Sequence, residues 1–329
     1  MKVVLRPDVF APPVQNALLV TLISHAIDDR HRVEFDESHP HVEAWVSQQA
    51  EGLREEIRVA LEVSAQAEVL EPSHTVVEVT CASASDFEDS PIRLHLNDAR
   101  QFLERPLVVL LEDQVSDRGF LARMMTDEER RFFDRRAALG FIRIDHGGGL
   151  GSMTRRVTQD AASPATRHRL WLMFDSDAMQ PGQPSRDAER LRIASARVAH
   201  YQLGRRYMES YLPRPALMAW AANQANRRVR EERLAKVRAF VDLSEDQRHY
   251  YNMKEGFAGD VARIANSADS PGTLYDDVPD DSRRTLDAGF GSDIGDLYQQ
   301  GVVTEADLRR DTGWDELRPV VLDLIARMR

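Results

Sequence analysis

The sequence predicts an α/β protein built on a parallel, doubly wound sheet. Three observations carry that expectation. Apolar runs of strand length recur in the middle of the chain, at LVVLLE (107–112), GFIRID (140–145) and LWLMFD (170–175). Segments with helical spacing of apolar residues separate them, and such alternation packs as a parallel sheet with helices on its faces. The first and third runs are continuously apolar, as strands covered on both faces require.

The elements are justified in chain order. Residues 1–104 read as an α+β region. Val14–Ile27 and Val42–Val63 carry apolar residues at helical spacing, the second with Glu55, Glu56 and Arg58 on one face. TVVEVTCAS (75–83) and IRLHL (92–96) alternate like strands. NDARQFLERP (97–106) reads as a short helix capped by Asn97 and stopped before Pro106.

Residues 105–256 form the central unit with its helical extension. Residues 116–138 are helical by pattern, a possible short helix and a loop fall around 159–167, Ser185–Val198 reads as a helix, and AHYQLG (199–204) as a fourth strand. Residues 257–329 form a mostly helical C-terminal region. In it the Ser-, Asp-, Pro- and Gly-rich stretch 266–287 reads as a linker or exposed loop. Residues 303–328 carry an apolar face of Leu308, Leu317, Val320, Leu322, Leu324 and Ile325. The helical patterns of both outer regions fit partner-docking or self-association surfaces as well as plain packing. No internal repeat is visible.

Composition bounds the function. The 329 residues are 42% hydrophobic and 29% charged, as in globular proteins. No apolar run approaches the roughly 20 residues of a membrane helix, and the N-terminus lacks the pattern of a signal peptide, so a cytoplasmic setting is expected. The single cysteine, Cys81, excludes an intrachain disulfide and a zinc site built on cysteines. A net charge of −11 argues against coating nucleic acid through bulk electrostatics. It leaves a metal-dependent nuclease open, because metal-binding carboxylates themselves add negative charge. The only lysines are Lys2, Lys236 and Lys254.

In a parallel sheet, ligands bind beyond the carboxyl ends of the strands. The first central strand delivers Glu112 and Asp113 there, followed by Asp117. The second delivers Asp145, His146 and the glycines Gly147, Gly148 and Gly149, and the third delivers Asp175 and Asp177. In extended chain, residues two apart point the same way, so Asp175 and Asp177 can aim at one point. Carboxylates held close raise one another's pKa unless a cation neutralises them. Hard oxygen ligands in a partly open site suit Mg²⁺ or Mn²⁺, and with Glu112 they make a site able to polarise a phosphate and activate water.

The blander alternatives are an N-cap role for Asp117, a flexible turn for the glycines, and a loop-holding histidine at 146. The glycines match neither dinucleotide-binding nor P-loop spacing. There is no G-x-S-x-G elbow, and Cys81 has no activating context.

The order of these motifs resembles the Toprim domain: a strand ending in Glu112, a strand with a glycine-rich end (FIRIDHGGG), and a strand ending in D-x-D (LMFDSD). LGRRYMESYLP (203–213) resembles the segment that follows the core in Toprim nucleases of the OLD type (overcoming lysogenization defect) and in stand-alone Toprim effectors of bacterial antiphage defence. It contributes Arg206, Glu209 and Tyr211, and YYNMKEG (250–256) contributes Lys254. The resemblance covers about residues 105–256.

The resemblance implies a Mg²⁺- or Mn²⁺-dependent phosphodiesterase acting on DNA or RNA. Glu112, Asp175 and Asp177 would hold one or two ions, with Glu209 and Asp117 as further ligands, and Lys254 would stabilise charge on the phosphate. Arg155, Arg156, Arg167, Arg169 and Arg206 would contact nucleic acid. The related enzymes pair this nuclease with an ABC-type ATPase. This chain has no Walker A motif, so that ATPase would be a separate subunit. One departure stands: the family usually spaces its Glu and Asp four apart, whereas here Glu112 and Asp117 are five apart and Asp113 and Asp117 four. Either Glu112 is the ligand with one residue inserted, or Asp113 takes part.

Two other readings remain. One is a non-catalytic structural or regulatory subunit on the same scaffold. The other is a D-x-D glycosyltransferase, which explains FDSD but not Glu112, the glycine turn or RRYMESYL.

Overall fold

The computed structural model describes residues 1–113, 115–265 and 270–329. Two four-stranded parallel sheets organise it. The first contains β1 (Lys2–Leu5), β2 (Arg32–Glu34), β3 (Val76–Thr80) and β4 (Ile92–His95), in the order β2-β1-β3-β4. The second contains β5 (Leu107–Leu111), β6 (Ile142–His146), β7 (Leu170–Phe174) and β8 (Ala199–Gln202), in the order β6-β5-β7-β8. Both start on an inner strand, step to one side, then return to the other.

The second sheet matches the expected parallel core. Its central strands sort their side chains by the two-residue period of extended chain. Val109, Leu111, Trp171 and Met173 enter the large core, while Leu110, Leu172 and Phe174 enter a smaller one with residues of helices Leu150–Asp160 and Arg186–Ala194. Because both faces are covered, β7 is buried throughout.

Several expectations need correction. The N-terminal region is not α+β but a parallel sheet of its own, and antiparallel pairing there is limited to the isolated bridge Asp86–Arg93. At four and three residues, β1 and β2 are too short to show a period. The helix after β4 starts at Leu96, and the His95 side chain, not Asn97, caps it by accepting from the Asn97 amide. The helical stretch 116–138 is two helices, Ser116–Arg123 and Asp127–Ala138, because Thr126 and Glu129 form a capping box that starts the second.

The stretch 266–287 is not an exposed loop. Residues 266–269 lie outside the described residues, but Tyr275, Val278 and Leu286 are buried, and helix Asp280–Thr285 falls within it. Leu322 is exposed, whereas the other apolar positions expected at the C-terminus are buried.

The large core runs from Leu107 to Met328, so the C-terminal region shares it with the second sheet. Helix Thr312–Met328 contributes Trp314, Leu317, Val321, Leu324 and Ile325, and its Asp323 accepts from the Trp171 indole at 3.2 Å. Residues 1–103 close a separate core. The two halves are fastened by polar contacts, among them Arg167 and Arg197 with Glu88 and His168 with the Phe87 carbonyl. No helix among the described residues is long and apolar enough to cross a membrane.

Candidate active site

The chain leaves β5 for β6 on one side and comes back to β7 on the other. That reversal opens a crevice beyond the carboxyl ends of the strands. Glu112 is the residue with which β5 enters it.

The glycine turn after β6 fastens this end of the strand. The Gly147 amide donates to the Leu111 carbonyl (2.7 Å) and the Gly148 amide to the Glu112 carbonyl (3.3 Å). A Cβ on Gly147 would meet Met153 at 2.3 Å and the Leu111 carbonyl at 2.9 Å, so a side chain there would push the turn off the strand. Gly148 and Gly149 have φ of +69° and +84°, which glycine adopts readily.

The two acidic residues that follow β5 separate into two roles. The Asp113 carboxylate is taken up by the turn, accepting from the Val115 amide (2.9 Å) and the Ser116 hydroxyl (2.7 Å). Those hydrogen bonds, from Ser116 first, hold its carboxyl below the usual range. Asp117 closes the same turn by accepting from the Asp113 amide (2.9 Å). The four-residue relation therefore belongs to the turn, and the five-residue relation to a pair of buried acids. Burial, then Asp177 and Asp117, push the Glu112 carboxyl up to about 7. Burial also pushes Asp117 up to about 7, with Glu209 adding to it.

Asp175 and Asp177 reach the crevice by different backbone routes. β7 stops at Phe174, and Asp177 has φ of +52°, so the alternation argument fails for it. A left-handed turn directs this residue, a conformation aspartate tolerates better than most. The turn is held from the neighbouring segment: the Asp177 amide donates to the Arg206 carbonyl (3.0 Å) and the Ser176 hydroxyl to the Arg205 carbonyl (2.7 Å). Asp175 accepts from the Met208 amide (3.1 Å). Burial, followed by Glu112, Asp117 and Glu209, raises its carboxyl well above the usual range.

The RRYMESYL segment and the YYNMKEG segment bring the remaining members. Glu209 is 1% exposed, and Lys254 Nζ lies 3.1 Å from its Oε1. Against the effect of burial, Glu209 and then Asp175 hold the Lys254 ammonium above its ordinary range. Glu112, Asp117, Asp175, Asp177, Glu209 and Lys254 thus form one electrostatic cluster.

Other expected site residues are placed elsewhere. Arg206 is fully buried and cannot touch nucleic acid. It forms a two-pronged pair with Asp260 (2.9 and 2.6 Å) and donates to the Tyr250 carbonyl. Tyr211 is buried and donates to Glu316 (2.7 Å). Arg167 is buried on Glu88 of the other half. Arg169 is buried at the opposite, entry end of β7, donating to the Arg105 carbonyl, and burial followed by Arg30 lowers it to about 9. Neither is open to a nucleic-acid backbone. Asp145 is held by Arg156 and Arg143, so Arg156 is also engaged. His146 is exposed, and Arg155 stands exposed on helix Leu150–Asp160.

The structure adds residues that sequence reasoning missed. Arg263 donates to Asp177 (3.3 Å) and to the Tyr207 hydroxyl (3.2 Å). Asp260 anchors Arg206 and accepts from Asn252, whose Oδ1 in turn accepts from the Glu255 amide beside Lys254. The turn around Gly289 packs on the Lys254 loop, with the Phe290 and Gly291 amides donating to the Met253 and Lys254 carbonyls (2.7 and 3.1 Å). Tyr207 lay inside a motif already noted, but no signal pointed to residues 260, 263 or 289.

Chemically, the cluster gathers five carboxyl groups against the ammonium of Lys254 and the guanidinium of Arg263. Glu112 Oε2 and Glu209 Oε2 are buried with no hydrogen-bond partner. Excess negative charge, unpartnered carboxylate oxygens and hard donors suit a divalent cation. Comparison with protein-family models, with curated proteins and with solved structures finds no match to this chain.

Proposed function

We propose that this chain is a Mg²⁺- or Mn²⁺-dependent phosphodiesterase that hydrolyses DNA or RNA in the crevice beyond β5, β6 and β7. One observation carries the reading. Acids from two strand ends, Asp117 of the adjoining helix and the Glu209–Lys254 pair converge at the reversal of strand order, where burial and mutual repulsion push Glu112 and Asp117 up to about 7. The Toprim resemblance supports it, because the same residues answer to its motifs.

In this reading Glu112, Asp175 and Asp177 would hold the ion, with Glu209 and Asp117 beside them. When bound, the ion supplies charge neutralisation at the phosphate and a more acidic water. Lys254, steadied on Glu209, donates to the oxygen charge that grows as the phosphate is attacked. Glu112 and Asp117 would serve as ligands in their ionised form. Asp113 and the glycine turn hold Glu112 in place, and Arg206 holds the Asp177 turn from behind. Arg155 is the exposed arginine left for the nucleic-acid backbone.

The same resemblance makes the chain the effector of a bacterial antiphage system, working with a separate ABC-type ATPase. A second reading is a non-catalytic structural or regulatory subunit on the same scaffold, which the five-residue spacing of Glu112 and Asp117 leaves open.

The test is cleavage of DNA and RNA by the purified chain with Mg²⁺ or Mn²⁺, alone and with its partner. Glu112→Gln and Asp175→Asn are each expected to lower the rate by at least about 10²-fold, the scale of losing a charge-stabilising group at a reacting centre. Cleavage retained in both variants overturns the site. Calorimetry that detects no divalent cation binding overturns the metal-dependent reading in favour of the second.

A further inference from the structure

The segment that supplies Glu209 to the candidate active site supplies Arg205, Ser210 and Leu212 to a separate cavity of ≈ 380 Å³. Arg214, Arg248 and Arg310 join Arg205 in its lining, with the acids Glu245 and Asp311. Arg205 is paired with Asp311, Arg310 lies 3.5 Å from Asp307, and Arg248 donates to the Val241 and Leu243 carbonyls, so the four arginines leave the lining with a modest excess of positive charge. Leu212, Leu217, Phe240 and Val241 supply the apolar part of the lining.

Two details separate this cavity from an ordinary solvated arginine surface. Arg205 is 4% exposed and held in a fixed place, donating to the Ser210 carbonyl (2.9 Å) and to Asp311 with its guanidinium 4.4 Å above the Tyr211 ring. Ser210 is 6% exposed, yet its hydroxyl has no hydrogen-bond partner among the described residues. A buried polar group without a partner costs free energy that a ligand's hydrogen bond recovers.

We infer that this cavity binds a nucleoside phosphate, the phosphate among the arginines and Ser210 and the planar base against the Phe240 wall. Guanidinium groups match the geometry of phosphate oxygens. The volume falls in the range of small-molecule sites, about 300–1,000 Å³, and a lining that is part charged and part apolar asks for a ligand of the same duality. The phosphate comes either from a free nucleotide or from the phosphorylated end of a nucleic-acid strand. The inference stands apart from the proposed nuclease reaction and uses none of the clustered acids.

Isothermal titration calorimetry on the full chain tests it. EDTA is present throughout, so that phosphate cannot bind the clustered acids through a metal. The probes are AMP, adenosine, and the dinucleotides pdTdT and dTdT. AMP is expected to bind at least about tenfold more tightly than adenosine. Arg214 and Arg310 are exposed, so the double variant Arg214→Ala/Arg310→Ala is expected to fold normally and weaken AMP by at least about tenfold. Ser210→Ala is expected to weaken it a few-fold, and Glu112→Gln to leave it unchanged, which separates this cavity from the nuclease reading. Binding of pdTdT but not of AMP or dTdT assigns the phosphate to a strand end. Failure of both AMP and pdTdT to bind overturns the proposal, as does adenosine binding as well as AMP, or wild-type affinity in the double variant.

Discussion

Burial, first, and the repulsion among five carboxyl groups push Glu112 and Asp117 up to about 7, with Lys254 and Arg263 paired to Glu209 and Asp177 in the same cluster. This sets a pH dependence for the cation-free protein. The Glu112 carboxyl titrates at its ordinary 4.5 in the unfolded chain and near 7 in the folded one. Between those values the folded state holds the Glu112 proton more tightly than the unfolded state, so this group's contribution to stability is fully present at the acid end and is lost as pH rises through about 7. Glu112→Gln is expected to flatten this fall and to raise Tm at pH 8 by a few degrees, on the order of 2 kcal/mol. Thermal unfolding in EDTA across pH 5–8 measures it, and a wild-type curve that rises toward pH 8 as steeply as that of the variant contradicts the assignment. Asp177 is a second residue-scale test. Its φ of +52° favours Asn over other replacements, so Asp177→Asn is expected to keep the fold and lose cation affinity, by calorimetry with Mn²⁺.

The elements that carry the acids are held by contacts to non-adjacent segments. Gly289 has φ of +60°, and a Cβ there would lie 2.6 Å from both the Gly256 amide nitrogen and the Lys254 carbonyl oxygen. Those are backbone atoms and cannot swing aside. Gly289→Ala is therefore expected to displace the Lys254 loop, costing roughly 1–3 kcal/mol in thermal unfolding and abolishing the proposed cleavage. The Arg206–Asp260 pair fastens the Asp177 turn from the other side. Asp260→Asn leaves Arg206 charged, buried and half-paired, and is expected to cost about 3–5 kcal/mol, read by denaturant titration. The strand ends of this cluster were legible: Glu112 and Asp175 follow continuously apolar runs of strand length, and the glycine turn follows an alternating one. Asp260, Arg263 and Gly289 were not, because nothing local marks a residue whose partner lies dozens of positions away.

At the scale of the molecule, two parallel sheets of identical order are built from sequences that show no repeat. The second places an acid cluster at its reversal point. Its large core draws on residues from Leu107 to Met328, so the C-terminal helix covers the sheet that bears the site. Trp314, Leu317, Val321, Leu324 and Ile325 are all buried there. At about 1.5–3 kcal/mol for each large apolar side chain, their removal exceeds much of the 5–15 kcal/mol that stabilises a typical domain. Deleting residues 303–329 is expected to leave the second half unfolded or aggregated, while the core of residues 1–103 resists proteolysis. Limited proteolysis with mass spectrometry distinguishes the two outcomes.

By itself the sequence determined the α/β class, the parallel second sheet and the acids at its strand ends, because hydrophobic period and strand-end chemistry are local properties. Only the tertiary structure decided that the N-terminal region is a parallel sheet, since strands of three and four residues carry no period. It also decided that Asp113 serves the turn while Glu112 and Asp117 face the crevice, and that Arg167, Arg169 and Arg206 are buried fasteners. Whether a charged side chain meets solvent or a partner depends on what the rest of the chain packs against it.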